Sequence, residues 1–425
     1  MTPAARIAAS IEIMAGILQQ AAAADRAVAE WQRRSRFAGA KDRRAVAETV
    51  YAVLREQGMR RWRLQQAGGE PTARLLVFAD AATPLAQWQK LCDGSGYGPA
   101  PLDETEADVL SRLPSDEDAP LWARANLPPD VTAMVQAAFG ADVEMELAAL
   151  NGRAALDLRV NTLLANREMV LEQLRGEGIA AAPTPLSPCG IRIPERVRLE
   201  AHMLYRDGLI EPQDEAAQLA GLLVDARPGE TVVDLCAGAG GKTLLLAATM
   251  RNQGELHATD NDPRRLKRLS PRLQRAGVRN TTVHDADRMP ALLAAMEGRA
   301  DRVLLDVPCT GSGTWRRNPE SRWRYDPASL DEVVRRQRGL LEDGARLVRP
   351  GGRLVYATCS ILPAENGEQA DWFLAHHGEF TELPLAEAFG GGITDQRIRS
   401  GSRLALTPYR HGTDGFFAVA FRRAG

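Results

Sequence analysis

The sequence predicts an α/β chain whose larger part is a doubly wound, mostly parallel sheet. Three observations carry that expectation. Apolar runs TVVDL, ELHATD, TTVHDAD, DRVLLDVP and RLVYATCS alternate with helical stretches between residues 231 and 360. A glycine loop, DLCAGAGGKT (234–243), joins the first run to an apolar helix. An acid or a cysteine ends nearly every run: Asp234, Asp260, Asp285, Asp306 and Cys359. In such sheets ligands bind at the carboxyl ends of the strands, so these five positions point to one shared site.

Ahead of the sheet, residues 1–142 read as an all-α domain. Apolar residues recur at helical spacing in IAASIEIMAGILQQA, DRRAVAETVYAVLREQ and DVTAMVQAAF. DGSGYGPAP (93–101) and NLPPD (126–130) mark its loops. Residues 143–212 read as a small α/β module: ALDLRVNTL as a strand, REMVLEQLRGEG as a helix, IRIP as a strand. Residues 213–425 form the sheet domain, with FFAVAF as a further strand, an antiparallel partner at the edge.

Length and composition fit this division. A chain of 425 residues, 44% hydrophobic and 25% charged, has the composition of a globular protein of two or three domains. Its net charge of −2 excludes a global basic field, so contact with nucleic acid requires local charge. The five cysteines are widely spaced, without CxxC, which suggests neither a zinc site nor a disulfide framework and fits a reducing cytoplasm. No apolar run reaches membrane-spanning length, and the first helix, which carries Glu12, reads as amphipathic rather than as a signal peptide. Nothing in the pattern demands more than a monomer or calls for a metal.

The glycine loop suits two ligand classes. Its ending GKT resembles a phosphate loop, and RVLLDVP resembles the strand that ends in a Mg²⁺-binding Asp. The first glycine of that pattern, however, falls on Cys236. Asp260 ends the next strand, where a carboxylate binds ribose hydroxyls, and a phosphate-loop enzyme has no use for it. Asp285 is placed to meet an adenine amino group, with Asp287 as its alternative and helix capping as the bland reading. Together the acids favour an adenosyl cofactor with a short charged tail. Lys242 is one of only four lysines (Lys41, Lys90, Lys242, Lys267), which suggests that a compact ammonium is needed there.

Cys309, in DVPCTGSGTWRRNPE, and Cys359, in VYATCSILPAENGEQ, both follow strand ends on the ligand side. A lone cysteine is usually a small buried hydrophobe, but two at one edge suggest nucleophilic chemistry. C5 of cytosine is weakly nucleophilic. Attack by a thiolate at C6 makes C5 an enamine carbon able to accept a methyl group, with an acid such as Asp306 near N3. The residues alone do not order the two cysteines.

The stretches DLCAGAGGKT, ATDNDPRRLKRL, HDAD, LLDVPCTGSGTWRRNPE, YATCSILPAENGE and HGTDGFF together resemble the Nop/Sun (RsmB/Fmu-type) family of RNA cytosine-5 methyltransferases. LRVNTLLANRE resembles the small RNA-contacting, RRM-like module of that family, and residues 1–142 resemble its NusB-like helical domain. The resemblance implies a Rossmann-like methyltransferase domain with a seven-stranded sheet, S-adenosyl-L-methionine as donor, and rRNA of the small subunit as substrate. It makes Cys359, in TCS, the nucleophile and gives Cys309, in PC, a part in product release. It sets Asp306 beside the donor and the cytosine edge, and the backbone of Pro308 against the base. The loop of Cys236, Ala237, Gly238, Ala239, Gly240 and Gly241, with Lys242, would hold the methionine end of the donor. Asp260, with Arg265 nearby, would meet the ribose, and Asp285 the adenine. One departure is Ala239, where many members of the family have proline.

Two basic clusters offset the neutral total. PRRLKRLSPRLQRAGVR (263–279) follows Asp260 and reads mainly as a solvated helix face. TWRRNPESRWRY (314–325) follows Cys309, and Arg316, Arg317 and Trp323 are expected to contact RNA by phosphate pairing and stacking. Arg60, Arg61 and Arg63 offer a third, weaker cluster. Competing readings are a tRNA substrate, an NTPase built on GKT and LLDVP, and a non-catalytic RNA-binding assembly factor.

Overall fold

The computed structural model describes residues 1–20, 22–195, 197–393 and 395–425. The chain divides into two compact units, residues 1–153 with 315–327, and residues 154–314 with 328–425.

The first unit is helical. Its opening helix, Pro3–Gln19, starts where the Thr2 side chain accepts from the Ala5 amide and proline occupies the first turn. Ala9, Ile13, Met14 and Ile17 line one face at helical spacing and join a core with Val46, Val50, Leu54, Leu76 and Phe78. The helix Val143–Asn151 belongs to this unit, whose first stretch runs to Arg153. The strand expected in ALDLRVNTL is present at Leu156–Val160.

Residues 315–327 also belong to this unit, although the chain reaches them from the sheet. Arg322 is 1% exposed and threads its guanidinium among the carbonyls of Ala125, Asn126 and Leu150 and the side chain of Asn151, at 3.0–3.4 Å. Burial lowers its pKa to about 9. Glu320 accepts from the Ala24 amide at 3.0 Å. The Trp323 indole donates to Asn126 Oδ1 at 3.2 Å, and the Arg61 guanidinium lies 4.9 Å from its ring.

The second unit contains two sheets. In the smaller one, β1 (Leu156–Val160), β2 (Ala182–Pro183), β3 (Gly190–Ile193) and β4 (Ile210–Pro212) run antiparallel in the order β2-β3-β1-β4, with the helix Arg167–Gly176 between β1 and β2. This module is fastened to the larger sheet's helices. Asn161 donates to the carbonyls of Gly208 and Ala276 at 2.9 Å, and Glu211 pairs with Arg272 and Arg275.

The larger sheet consists of β5 (Thr231–Asp234), β6 (Glu255–Thr259), β7 (Thr281–His284), β8 (Ala300–Asp306), β9 (Val348–Thr358), β10 (Phe380–Glu382), β11 (Arg403–Leu406) and β12 (Phe416–Arg423). Its order is β10-β12-β9-β8-β5-β6-β7, with β11 paired to β12. The strands β9, β8, β5, β6 and β7 are parallel, and β10, β11 and β12 are antiparallel additions. Among the described residues the sheet therefore has eight strands where seven were expected. FFAVAF is not at an edge either: β12 lies between β9 on one side and β10 and β11 on the other. Residues 416–421 of β12 are buried throughout, as an unbroken apolar run requires.

Alternate residues feed two cores. Val232, Leu304, Val355 and Ala418 face one side; Val233, Val303, Leu305, Leu354 and Val419 face the other. Among the described residues no helix is long and apolar enough to cross a membrane, and no group of three or more His, Cys, Asp or Glu is placed to hold a metal.

Candidate active site

β5 is flanked by β6 on one side and β8 on the other, so the chain winds away from it in both directions. The carboxyl end of β5 is thus the switch point at which such sheets bind ligands. The glycine loop leaves it there and opens the helix Gly241–Thr249. Gly238 and Gly240 have φ of 55° and 88°, and a Cβ on Gly240 would lie 2.0 Å from Leu269 Cδ1. Glycine is needed there for both conformation and space. Arg272 and Arg159 clamp the loop from outside, donating to the carbonyls of Ala239 and Gly241 at 2.5 Å. Arg159 is wholly buried, and burial lowers its pKa to about 10.

A cleft of about 320 Å³ opens beside the loop, lined by Cys236, Asp260, Asn261, Met289, Pro308 and Leu340 among others. Its walls are mostly apolar, with Asp260 on one side. Asp260 is 3% exposed and is held by the amides of Gly238 and Asp262 at 2.9 and 2.8 Å. Arg265 stands 3.8 Å from the same carboxylate. A mostly apolar slot with one oriented carboxylate fits a nucleoside. A triphosphate would instead meet three carboxylates, Asp234, Asp260 and Asp306, at the strand ends around the loop.

Asp234 is buried at the foot of the loop. Its Oδ2 accepts from Thr243 Oγ1 at 2.7 Å, and its Oδ1 has no hydrogen-bond partner among the described residues. Burial raises its pKa to about 7. Lys242, expected at the methionine end of the donor, sets its Nζ 2.7 Å from Asp306 Oδ2 and 4.9 Å from the centre of the Phe416 ring. Burial also raises the Cys236 thiol well above its ordinary value. Asp285 ends β7, exposed, and its side chain caps no helix.

The loops after β8 and β9 bring Cys309 and Cys359 together, with their sulfurs 3.4 Å apart as free thiols. The hydrogen bond to Cys359, burial, and the negative charge of Glu365 push the Cys309 thiol well above its ordinary pKa. The loops are closed by backbone pairing. Gly313 donates to the Cys359 carbonyl at 3.0 Å, and Gly415, in HGTDGFF, donates to the Gly313 carbonyl at 2.9 Å. A Cβ on Gly313 would lie 1.9 Å from the Gly415 oxygen.

Some expected residues lie elsewhere. The Pro308 carbonyl accepts from Gln337 at 3.1 Å, although its ring lines the cleft. Arg316, 7% exposed, belongs with Arg317 and Trp323 to the helical unit, and Trp323 is engaged by Asn126 and Arg61 rather than open for stacking. Arg60 and Arg63 are buried and tie Glu56 and Asp116 to the carbonyls of residues 76, 77 and 79. In sequence, an arginine that cages carbonyls looks the same as one that faces phosphate. Sequence reading also missed the polar residues behind the cysteines, the buried Gln337, Tyr356, Ser360 and Glu365 and the half-buried Thr310. Nothing local marked them, since Gln337 lies in RRQRG and Glu365 in PAENGEQ, stretches already polar.

Comparison with known proteins agrees with this geometry. A family profile described as "16S rRNA methyltransferase RsmB/F" matches residues 221–422, and one described as "Methyltr_RsmF/B-like, ferredoxin-like domain" matches residues 131–200. A probable ribosomal RNA small subunit methyltransferase B of Synechocystis is 30% identical over 90% of this chain and 92% of its own. Ribosomal RNA small subunit methyltransferase B of Pectobacterium carotovorum is 30% identical over 89% and 90%. The crystal structure of a methyltransferase homologue from Pyrococcus horikoshii is 28% identical, with a TM-score of 0.60 over 71% of this chain and 97% of that one. A glycine loop at the switch point of a Rossmann-like sheet, and relatives aligned over nine-tenths of their length, lead to one assignment: the chain belongs to the RsmB/F family of rRNA methyltransferases.

Proposed function

We propose that the protein methylates C5 of a cytosine in small-subunit rRNA, using S-adenosyl-L-methionine. The observation that carries this reading is the pair of free thiols, 3.4 Å apart, on adjacent strand-end loops of a methyltransferase sheet. Methyl transfer to oxygen or to an exocyclic nitrogen needs no thiol. Methyl transfer to C5 of a pyrimidine needs one to activate the ring.

In this reading the glycine loop, Lys242 and the cleft at Asp260 hold the donor, which supplies an electrophilic methyl group. Asp285 meets the adenine. The target base stands unpaired or flipped from its helix. Cys359 adds through sulfur to C6, and the ring electrons move toward C5. Asp306, with Lys242 on its carboxylate, serves the proton needed at N3. After methylation at C5 a base takes the C5 proton, the electrons of that C–H bond re-form the C5–C6 double bond, the Cys359–C6 bond breaks with sulfur leaving as thiolate, and N3 returns its proton to Asp306. Cys309 assists this C5 proton loss and the release of the product.

Deproteinised small-subunit rRNA with labelled S-adenosyl-L-methionine is the direct test. Label recovered in 5-methylcytidine is the expected result. Label in another nucleoside overturns the C5 reading, and label only in tRNA overturns the substrate. Cys359→Ala should bind donor normally yet transfer no methyl group; retained transfer sinks the nucleophile assignment. Cys309→Ala should accumulate an RNase-sensitive protein–RNA adduct, visible as a slow band on a denaturing gel.

A further inference from the structure

Behind the two cysteines lies a buried carboxylate that the mechanism above does not use. Glu365 is 0% exposed, and among the described residues no cation pairs with it. Its Oε1 accepts from the Thr310 amide at 2.9 Å and from Gln337 Nε2 at 3.0 Å. Its Oε2 accepts from Thr310 Oγ1 at 2.6 Å and from the Ser360 hydroxyl. Thr310 is the residue after Cys309, and Ser360 the residue after Cys359. One carboxylate therefore grips the neighbour of each cysteine.

The grip extends in both directions. Ser312 Oγ lies 3.0 Å from Ser360 Oγ and accepts from the Ile361 amide at 3.0 Å, a second bond between the same loops. Tyr356 donates to the Glu365 carbonyl at 2.7 Å, and the Gln337 that holds Glu365 also holds the Pro308 carbonyl. Burying an anion without a cation is costly unless every lone pair is satisfied. Stability alone gives no reason to keep the carboxylate, since an apolar side chain of similar size would avoid that cost.

We propose that Glu365 is a positioning residue that fastens the Cys309 loop to the Cys359 loop and sets the two sulfurs against each other. This rests on the methyltransferase reading above for its purpose, but not for its geometry. The carboxylate also has an electrostatic consequence. The groups that bear on Cys309 are Cys359 and Glu365 from the facing loop and Tyr356 from β9. Asp306, three residues before Cys309, is already paired with Lys242. After the bond to Cys359, burial and the charge on Cys359, Glu365 is a further influence that raises the Cys309 thiol.

The test compares Glu365→Gln and Glu365→Asp in the full chain. Glu365→Gln should lower kcat for methyl transfer about 100-fold, the scale of a small misplacement of reacting groups, and leave KM for donor and RNA within about twofold. Glu365→Asp, which restores the charge, should recover part of the loss. The second readout needs no RNA. In a Cys359→Ala background, the pH midpoint for iodoacetamide modification of Cys309, followed by peptide mass, should fall by about one pH unit on adding Glu365→Gln. An unchanged midpoint, or a kcat within twofold of the parent, overturns the proposal. A midpoint that moves in a chain that methylates no RNA upholds the proposal and removes only the methyltransferase reading. Should Glu365→Gln fail to bind donor, Thr310→Val and Ser360→Ala together cut the same tie with the carboxylate in place. They should lower kcat without moving the midpoint, and an unchanged kcat again overturns the proposal.

Discussion

Asp234 shows at the scale of one residue what the ligand site demands of the fold. Its carboxyl is buried, and its pKa rises from 3.8 to about 7 because burial disfavours the charged form. Between those values the folded chain binds more protons than the unfolded one, so stability falls as pH rises through that window. The displacement corresponds to roughly 4 kcal/mol lost by pH 8, as an upper bound. Asp234→Asn cannot ionise and still accepts from Thr243. Its melting temperature should overtake that of the parent as pH rises from 5 to 8, in calorimetry without donor. A difference that stays constant with pH would mean that the carboxyl is not the proton-linked group.

Glycines at the scale of the element separate two constraints. Gly240 needs both its positive φ and its missing Cβ, because Leu269 Cδ1 would stand 2.0 Å from the added carbon. Gly240→Ala should cost about 2–4 kcal/mol and abolish donor binding, read by thermal melting and titration calorimetry. Gly339 is the opposite case. It sits within the helix Leu330–Leu347, an added Cβ meets nothing within 4 Å, and the residue lines the cleft. Alanine there should stabilise the helix by about 1 kcal/mol yet weaken donor binding by narrowing the cleft. Stabilisation with unchanged affinity would place the donor elsewhere. The strands follow the same logic: β12 is apolar on both faces because Phe416, Ala418 and Ala420 enter one core and Phe417, Val419 and Phe421 the other.

For the whole molecule, the telling segment is 315–327. It follows the Cys309 loop in the chain but is packed as part of the helical unit, with Arg322 caged by carbonyls. A chain beginning at residue 154 would lose every one of those partners. Limited proteolysis should then cut within 315–327, whereas the intact chain resists there; equal resistance would mean that the segment holds its shape alone. Arg322→Leu in the intact chain should destabilise the helical unit by about 2–4 kcal/mol, since it strips the donors from at least three carbonyls in the interior.

What was legible in the sequence is what depends on neighbours along the chain. The apolar runs of β5 to β9 identify the parallel sheet because a strand covered on both faces admits few polar residues. The glycine loop and the acids at Asp260 and Asp306 are legible because turn chemistry and strand ends are local. The 3.4 Å contact between Cys309 and Cys359 joins residues 50 apart, and the Glu365–Thr310 tie spans 55. No local pattern encodes a closure of that length. Nor could composition tell whether Arg60, Arg63, Arg316 and Arg322 meet phosphate, water or carbonyls, because the side chain is the same in each case. The sequence by itself determined the fold class and singled out the strand-end edge of the sheet and the two cysteines. Only the tertiary structure decided which polar groups brace those sulfurs and which arginines the interior claims, because both depend on segments that meet only after folding.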